Sequence, residues 1–147
     1  MTLETPLGPA WAEIDPAGNI QAFGFGPPPP RAAGHSAPLA RQVAEYCEGR
    51  RTRFELNLRP VGTPFQQRVW AELLKIPYGH TITYLELSHR AGVPGAARAV
   101  GRANATNPLA LIVPCHRVIG SNGTLTGYAY GTDLKRRLLH LESHPAR

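Results

Sequence analysis

The sequence predicts an α+β protein: a small N-terminal lobe of β-sheet and helix over residues 1–60, then a mainly helical, winged-helix-like domain over residues 61–147 containing a helix-turn-helix. Three observations predict it. Turn residues separate short apolar runs near the N-terminus, four consecutive prolines interrupt the chain after them, and from Thr63 onward apolar residues recur at helical spacing behind N-cap residues.

In the first lobe, residues 7–14 hold scattered apolar side chains, Asp15-Pro16-Ala17-Gly18-Asn19 is turn chemistry, and residues 20–25 are apolar again, which reads as a hairpin. Gly26 and the prolines 27–30 exclude helix and form an extended connector. Residues 38–48 place Leu39, Val43 and Tyr46 or Cys47 on one helical face, and Gly49 ends the helix. On that face Cys47 is a small buried hydrophobe. Residues 50–60 read as a crossing linker with a short strand over 54–58.

The second half carries stronger local signals. Thr63-Pro64-Phe65-Gln66 supplies an N-cap, a first-turn proline and a capping-box glutamine, and Phe65, Val69 and Leu73 follow at i, i+4 and i+8. Pro77-Tyr78-Gly79 closes this helix. Thr83-Tyr84-Leu85-Glu86 repeats the capping pattern and opens a helix that stops near Ala91-Gly92; after the turn Val93-Pro94-Gly95, residues 96–104 form the next. Two short helices joined by a glycine-containing turn make a helix-turn-helix candidate.

The second of these helices is thin: Ala96, Ala97, Ala99, Gly101 and Ala103 give it little bulk, while Arg98 and Arg102, at i and i+4, share a face. Glycine inside a helix costs on the order of 1 kcal/mol relative to alanine, so close approach to another backbone is the better reason for Gly101. The last helix, over residues 132–142, buries Leu134, Leu138 and Leu141 and brings Glu142 to the same face. A carboxylate at a helix C-terminus meets an unfavourable dipole. Glu142 is then either at a frayed, solvated end or buried and in need of a partner.

Composition narrows the function classes. No apolar run is long enough to span a bilayer and the N-terminus has no signal-peptide pattern, so a cytoplasmic protein is expected. Cys47 and Cys115 are not expected to pair, and the six histidines are scattered, so neither a metal nor a cofactor is implied. Residues 1–60 hold six arginines and six acidic residues, whereas residues 61–147 hold ten basic and four acidic residues. All of the net +6 therefore lies in the second half. That asymmetry fits a polyanionic partner, most often nucleic acid, or a merely soluble basic surface.

The chemistry centres on Val113-Pro114-Cys115-His116-Arg117-Val118, at the end of an apolar run, residues 109–113, suited to a strand or buried extended segment. A thiol reacts as thiolate, and at a free pKa of about 8.5 little is ionised near neutrality. His116 is the obvious base. Neighbouring residues do not face each other on a helix or strand, so the pair needs a bend, which Pro114 favours, or a bridging water. Glu142 would complete a relay by orienting His116.

These residues resemble the O6-alkylguanine-DNA alkyltransferases. The likeness runs through Gly62-Thr63-Pro64-Phe65, Val69-Trp70, Ile76-Pro77-Tyr78-Gly79, Thr83-Tyr84, Ala97-Arg98-Ala99-Val100-Gly101, Asn107-Pro108, the segment from Pro114 to Gly120, Gly127-Tyr128, and Leu138-Leu139 with Glu142. Residues 1–60 match only in outline.

The resemblance implies a single, irreversible transfer of an alkyl group, chiefly methyl, from O6 of guanine to Cys115, with O4-alkylthymine as a further possible substrate. It implies that His116 is the base through a water, that Glu142 stands behind it, and that Asn107 braces the turn between recognition helix and active site. Tyr84 would turn the target phosphate and protonate the leaving base; Arg98 would enter the stack where the base leaves. The carbonyls of Cys115 and Val118 would accept from the exocyclic amine, and Tyr128, Ala129 and Tyr130 would cover O6. The helix bearing Ala96, Ala97, Arg98, Gly101 and Arg102 would lie in the minor groove of double-stranded DNA, with the protein acting as a monomer and without metal or cofactor.

This chain departs from the family pattern at Ala110, where proline is usual, and at Tyr130, where glycine is common; zinc ligands of some members' N-terminal lobes have no counterpart. Two other readings remain: a DNA-binding module without catalysis, either a helix-turn-helix regulator, against which the lack of anything resembling an effector domain argues, or an alkyltransferase-like protein without the acceptor thiol, against which Cys115 argues; and a cysteine hydrolase that turns over repeatedly and ignores DNA.

Overall fold

Antiparallel pairing builds the first unit around three strands, β1 (Thr2–Thr5), β2 (Gly8–Ile14) and β3 (Ile20–Phe25), ordered β1-β2-β3. They belong to a computed structural model that describes residues 1–125 and 127–143. The expected second domain runs to residue 147, and its residues 126 and 144–147 lie outside the described set. The β2–β3 turn is held by Asp15, whose Oδ1 accepts from the amides of Ala17 and Asn19, both at 2.9 Å, the side-chain-to-backbone pattern that makes Asp a turn residue. β1 has no counterpart in the sequence reading. It is a short edge strand of alternating partial exposure, and its one apolar side chain, Leu3, gives no periodic signal.

The core of this unit contains Trp11, Ile14, Ile20, Phe23 and Phe25 from the sheet with Leu39, Val43 and Tyr46 from α1 (Ala37–Cys47). Fully burying side chains of this size is worth roughly 1.5–3 kcal/mol each. Ser36 caps α1, its Oγ accepting from the Leu39 amide at 3.2 Å. Cys47 is half-buried rather than buried. Burial, with Glu48 beside it, pushes its thiol up to about 11, so it remains unreactive.

Two expected extended segments are not strands. Residues 54–58 make only an isolated bridge, Leu58 to Ile20. The Gln42 amide takes the place of a strand partner, donating to Glu55 O at 3.1 Å and accepting from the Glu55 amide at 2.8 Å. The run 109–113 likewise makes one bridge, Leu109 to Phe23. It then tightens into a γ-turn in which the Ile112 amide donates to Ala110 O at 2.8 Å and Leu111 adopts φ 70°. Positive φ is costly for a branched residue. Pro108–Ile112, including the buried Ala110, belongs to this first unit.

The second unit comprises Gly62–Asn107 and Val113–Ser143. Its elements are α2 (Pro64–Leu73), β4 (Ile82–Thr83), α3 (Tyr84–Arg90), α4 (Ala97–Ala105), β5 (Val118–Ile119) and α5 (Thr132–Ser143). The full capping box of α2 is present: the Gln66 amide donates to Thr63 Oγ1 at 3.1 Å, and Gln66 Oε1 accepts from the Thr63 amide at 2.8 Å. Thr83 caps α3 on one side, accepting from the Glu86 amide at 3.1 Å. α2, α3 and α4 pack together, and buried Trp70 donates from Nε1 to Ala103 O at 2.8 Å. β4 and β5 pair in parallel, Ile82 opposite Val118, which sets the exit of the Cys-His segment against the entry of α3. Among the described residues no helix is long and apolar enough to cross a membrane.

Candidate active site

Pro114 sets the bend. At φ −80° and ψ 63° it lies in an inverse γ-turn, with the Cys115 amide donating to Val113 O at 2.7 Å. A single 3₁₀ turn, Cys115–Arg117, follows and is closed by the Arg117 amide on Pro114 O at 3.0 Å and the Val118 amide on Cys115 O. Cys115 thus leaves the backbone at a corner, with 7% of its surface exposed.

Two asparagines hold this corner. Asn107 donates from Nδ2 to Val113 O at 2.9 Å, and its side chain also bonds the Cys115 thiol. Asn104, on the buried face of α4, donates from Nδ2 to Cys115 O at 3.4 Å. Burial pushes the thiol up, against the opposing pull of the Asn107 hydrogen bond and the Lys135 charge. The thiol is accordingly protonated at neutral pH.

His116 is fully buried and its Nε2 lies 2.7 Å from Glu142 Oε2. Glu142 is itself 3% exposed, which settles its environment: it is a buried carboxylate with partners. Arg117 donates to it twice, Nε to Oε1 at 2.8 Å and Nη2 to Oε2 at 2.9 Å, and spends Nη1 on Ile76 O at 2.7 Å. Burial pushes the carboxyl up, but the hydrogen bonds from His116 and Arg117 outweigh it and hold it at about 2. Burial lowers the imidazole despite Glu142. With the carboxylate ionised, Nε2 carries the proton; Nδ1 is buried without a partner among the described residues.

Lys135 is fully buried on α5, with Nζ donating to Val118 O at 2.6 Å and lying 6.0 Å from the Tyr84 ring centre. Tyr128 packs edge-on to His116 at 6.5 Å and to Tyr130 at 5.9 Å. Burial raises its phenol well above the ordinary value, and its hydroxyl, still protonated, has no partner among the described residues. Ala129 is exposed and Tyr130 half-buried. Tyr84 is half-buried; a β-carbon at Gly127, where φ is 67°, would stand 3.3 Å from its hydroxyl, and one at Gly101 would stand 3.7 Å from its ring. Glycine at both positions keeps the Tyr84 ring close to α4 and to the loop before α5.

On α4, Val100, Ala103 and Asn104 face inward and Arg98 and Arg102 are exposed, with Ala96, Ala97 and Gly101 half-buried between. Cys115, His116, Glu142, Asn107, Val118, Tyr128 and Tyr84 therefore gather in one unit with this helix. Sequence reasoning gave no role to Lys135, Asn104 or Arg117. The first carried a legible signal: Lys135, Leu138 and Glu142 are spaced by 3 and 4, so both charges share the Leu138 face.

This arrangement defines a class, a protein with a buried thiol beside a histidine–carboxylate pair in a unit that also holds two short helices joined by a turn. Comparison with known proteins narrows it. The profile of the family described as 6-O-methylguanine DNA methyltransferase, DNA binding domain, matches residues 64–144. The methylated-DNA–protein-cysteine methyltransferase of Methanosarcina barkeri is 55% identical over 108 residues, covering 74% of this chain and 68% of that protein. Its namesake from Mycobacterium tuberculosis is 56% identical over 105 residues, covering 71% and 64%. Mycobacterium tuberculosis OGT, solved in complex with DNA, superposes with a TM-score of 0.86 at 41% identity, covering 97% of this chain and 91% of that one. The chain belongs to the O6-methylguanine-DNA methyltransferase family. Its alignments span about two-thirds of the length of these sequence relatives.

Proposed function

We propose that this chain repairs DNA by direct reversal, moving an alkyl group, chiefly methyl, from O6 of guanine onto Cys115 in one irreversible event. O4-alkylthymine is a second candidate substrate. The observation that carries this reading is the buried thiol at a backbone corner, beside a His116 whose Nε2 is hydrogen-bonded to buried Glu142. The family's named activity and the DNA complex of a relative support it.

An alkyl group on O6 is out of reach inside a duplex, so the nucleotide must be turned out, at a cost of a few kcal/mol that weakened pairing reduces. α4 would enter the minor groove of double-stranded DNA, about 6 Å wide, where Ala96, Ala97 and Gly101 permit close approach. Arg98 would fill the gap left in the stack, and Arg102 would meet phosphate.

The buried charges favour ionisation of Cys115 once a base removes its proton. With a neutral thiol, Glu142, Arg117 and Lys135 sum to one positive charge; a thiolate cancels it. His116 Nδ1 takes the proton through a bridging water. Sulfur then attacks the alkyl carbon: the S–C bond forms, the C–O6 bond breaks, and its electron pair passes to the purine, which takes a proton from the Tyr84 hydroxyl. The exocyclic amine is read by the carbonyls of Val118 and Cys115, displacing the long Asn104 bond at the latter. Tyr128, Ala129 and Tyr130 close over O6, with the unpaired Tyr128 hydroxyl a ready donor. The thioether product is stable, so each molecule acts once, as a monomer in the cytoplasm.

Duplex carrying a labelled methyl on O6 of guanine tests this. Label should move to protein up to one equivalent and stop, whereas continued turnover, with label released to solvent, would identify a hydrolase instead.

A further inference from the structure

In the transfer described above Arg117 enters only through its charge, yet it spends three guanidinium nitrogens on Glu142 and Ile76 O. We propose that it is a positioning residue: by gripping both oxygens of Glu142 it leaves that carboxylate to His116 as a hydrogen-bond acceptor only, which keeps the proton on Nε2 and Nδ1 free.

The geometry supports this in three ways. The Arg117–Glu142 contact is bidentate, at 2.8 and 2.9 Å, with Arg117 buried and its remaining nitrogen tied to Ile76 O. Such a fork fixes the plane of a carboxylate, which a lysine cannot do. Secondly, Glu142 lies in the last turn of α5, where the helix end disfavours negative charge; Arg117 offsets that cost. Thirdly, the 2.7 Å contact between His116 Nε2 and Glu142 Oε2 coexists with a buried Nδ1 that has no partner among the described residues, the arrangement of a neutral imidazole with one nitrogen committed and the other free to accept.

A lone buried carboxylate beside an imidazole would draw a proton onto it and form an ion pair, raising the imidazole by about one to three units. Here the carboxylate is already neutralised. The groups facing His116 are Glu142 and Lys135 from α5, Arg117 from its own turn, and the Tyr128 ring from the loop before α5. Two of these are cations, and both oppose an imidazolium.

The inference rests on the proposed role of His116 as base, and the test separates the two. In the free, unreacted protein, nitrogen-15 NMR should show His116 at neutral pH as the Nε2–H tautomer, titrating below an ordinary histidine, a readout that needs no DNA. In Arg117→Gln the His116 titration should move up by about one to three units, and the pH profile of alkyl transfer should move with it. Arg117→Lys, which keeps the charge but not the fork, should fall between the two and decides the matter if the glutamine variant does not fold. An imidazolium at neutral pH in the wild type, or a folded Arg117 variant with an unchanged His116 titration, overturns the proposal. A shifted titration with an unshifted transfer profile keeps Arg117 as the positioning residue and removes His116 as the base.

Discussion

His116 Nε2 and Glu142 Oε2 stand 2.7 Å apart, both side chains almost wholly out of water, on residues 26 positions apart in the chain. This contact ties the turn that presents the thiol to the end of the last helix. Both groups titrate differently in the folded and unfolded chain, so acid should destabilise the fold in two stages.

Unfolded histidine and glutamate titrate near 6.5 and 4.5, whereas in the folded chain His116 lies below the first and Glu142 at about 2. For His116 the unfolded chain binds the extra proton, so stability declines as pH drops below about 6.5. For Glu142 stability is fully present above about 4.5 and is lost between 4.5 and 2. Chemical denaturation across this range should show both limbs, and Glu142→Gln should flatten the lower one while lowering stability at neutral pH. A stability independent of pH down to about 3 would contradict the buried pair.

Lys135 should act on the nucleophile. Lys135→Met keeps the volume but removes the positive charge that opposes burial of the thiolate, so the thiol should rise and transfer at neutral pH should slow about tenfold or more. The variant loses the bond to Val118 O and should be less stable by about 1–3 kcal/mol, so the rate is compared at a temperature where circular dichroism shows it folded. Rate-against-pH curves for alkyl transfer would show the shift; an unmoved curve would remove Lys135 from thiol activation.

The two exposed arginines of α4 should separate by assay. Arg98→Ala should slow transfer from duplex more than from the free alkylated base, since only duplex requires extrusion of the nucleotide. Arg102→Ala should lower the slope of log affinity against log salt by about 1, as expected for one lost phosphate contact. Equal slowing on both substrates would contradict an intercalating Arg98.

Tyr130 packs edge-on against Tyr128 with ring centres 5.9 Å apart, and its bulk should restrict the leaving group. Tyr130→Gly should raise reactivity with benzyl-sized groups by at least about tenfold relative to methyl. Wild-type protein that already reacts equally fast with O6-methyl- and O6-benzylguanine would rule out this restriction.

Where a local interaction decided the structure, the sequence was legible. Thr63 with Gln66, and Thr83 before α3, mark helix starts through bonds three residues long; Val93-Pro94-Gly95 marks the turn, and the Asp15 turn follows from one side chain. The failures involve partners distant in the chain. Gln42 satisfying the backbone at Glu55 replaces a strand, and the turns at Leu111 and Pro114 convert an apolar run into a corner that apolar content alone cannot distinguish from a strand. In the site, Cys115, His116 and Glu142 were readable through the motif and the helix face. Arg117 on Glu142 and Lys135 on Val118 were not, because such pairings depend on how α5 docks against the 3₁₀ turn.

The central claim is that one sulfur accepts the group removed from DNA, and the mass of the peptide containing Cys115 tests it most directly. After incubation with duplex bearing O6-methylguanine, that peptide alone should gain a methyl in place of the thiol hydrogen, with the peptide containing Cys47 unchanged and no gain in Cys115→Ala. An unmodified Cys115 peptide from folded protein that has bound the lesion, or a methyl found on Cys47 instead, would contradict the account.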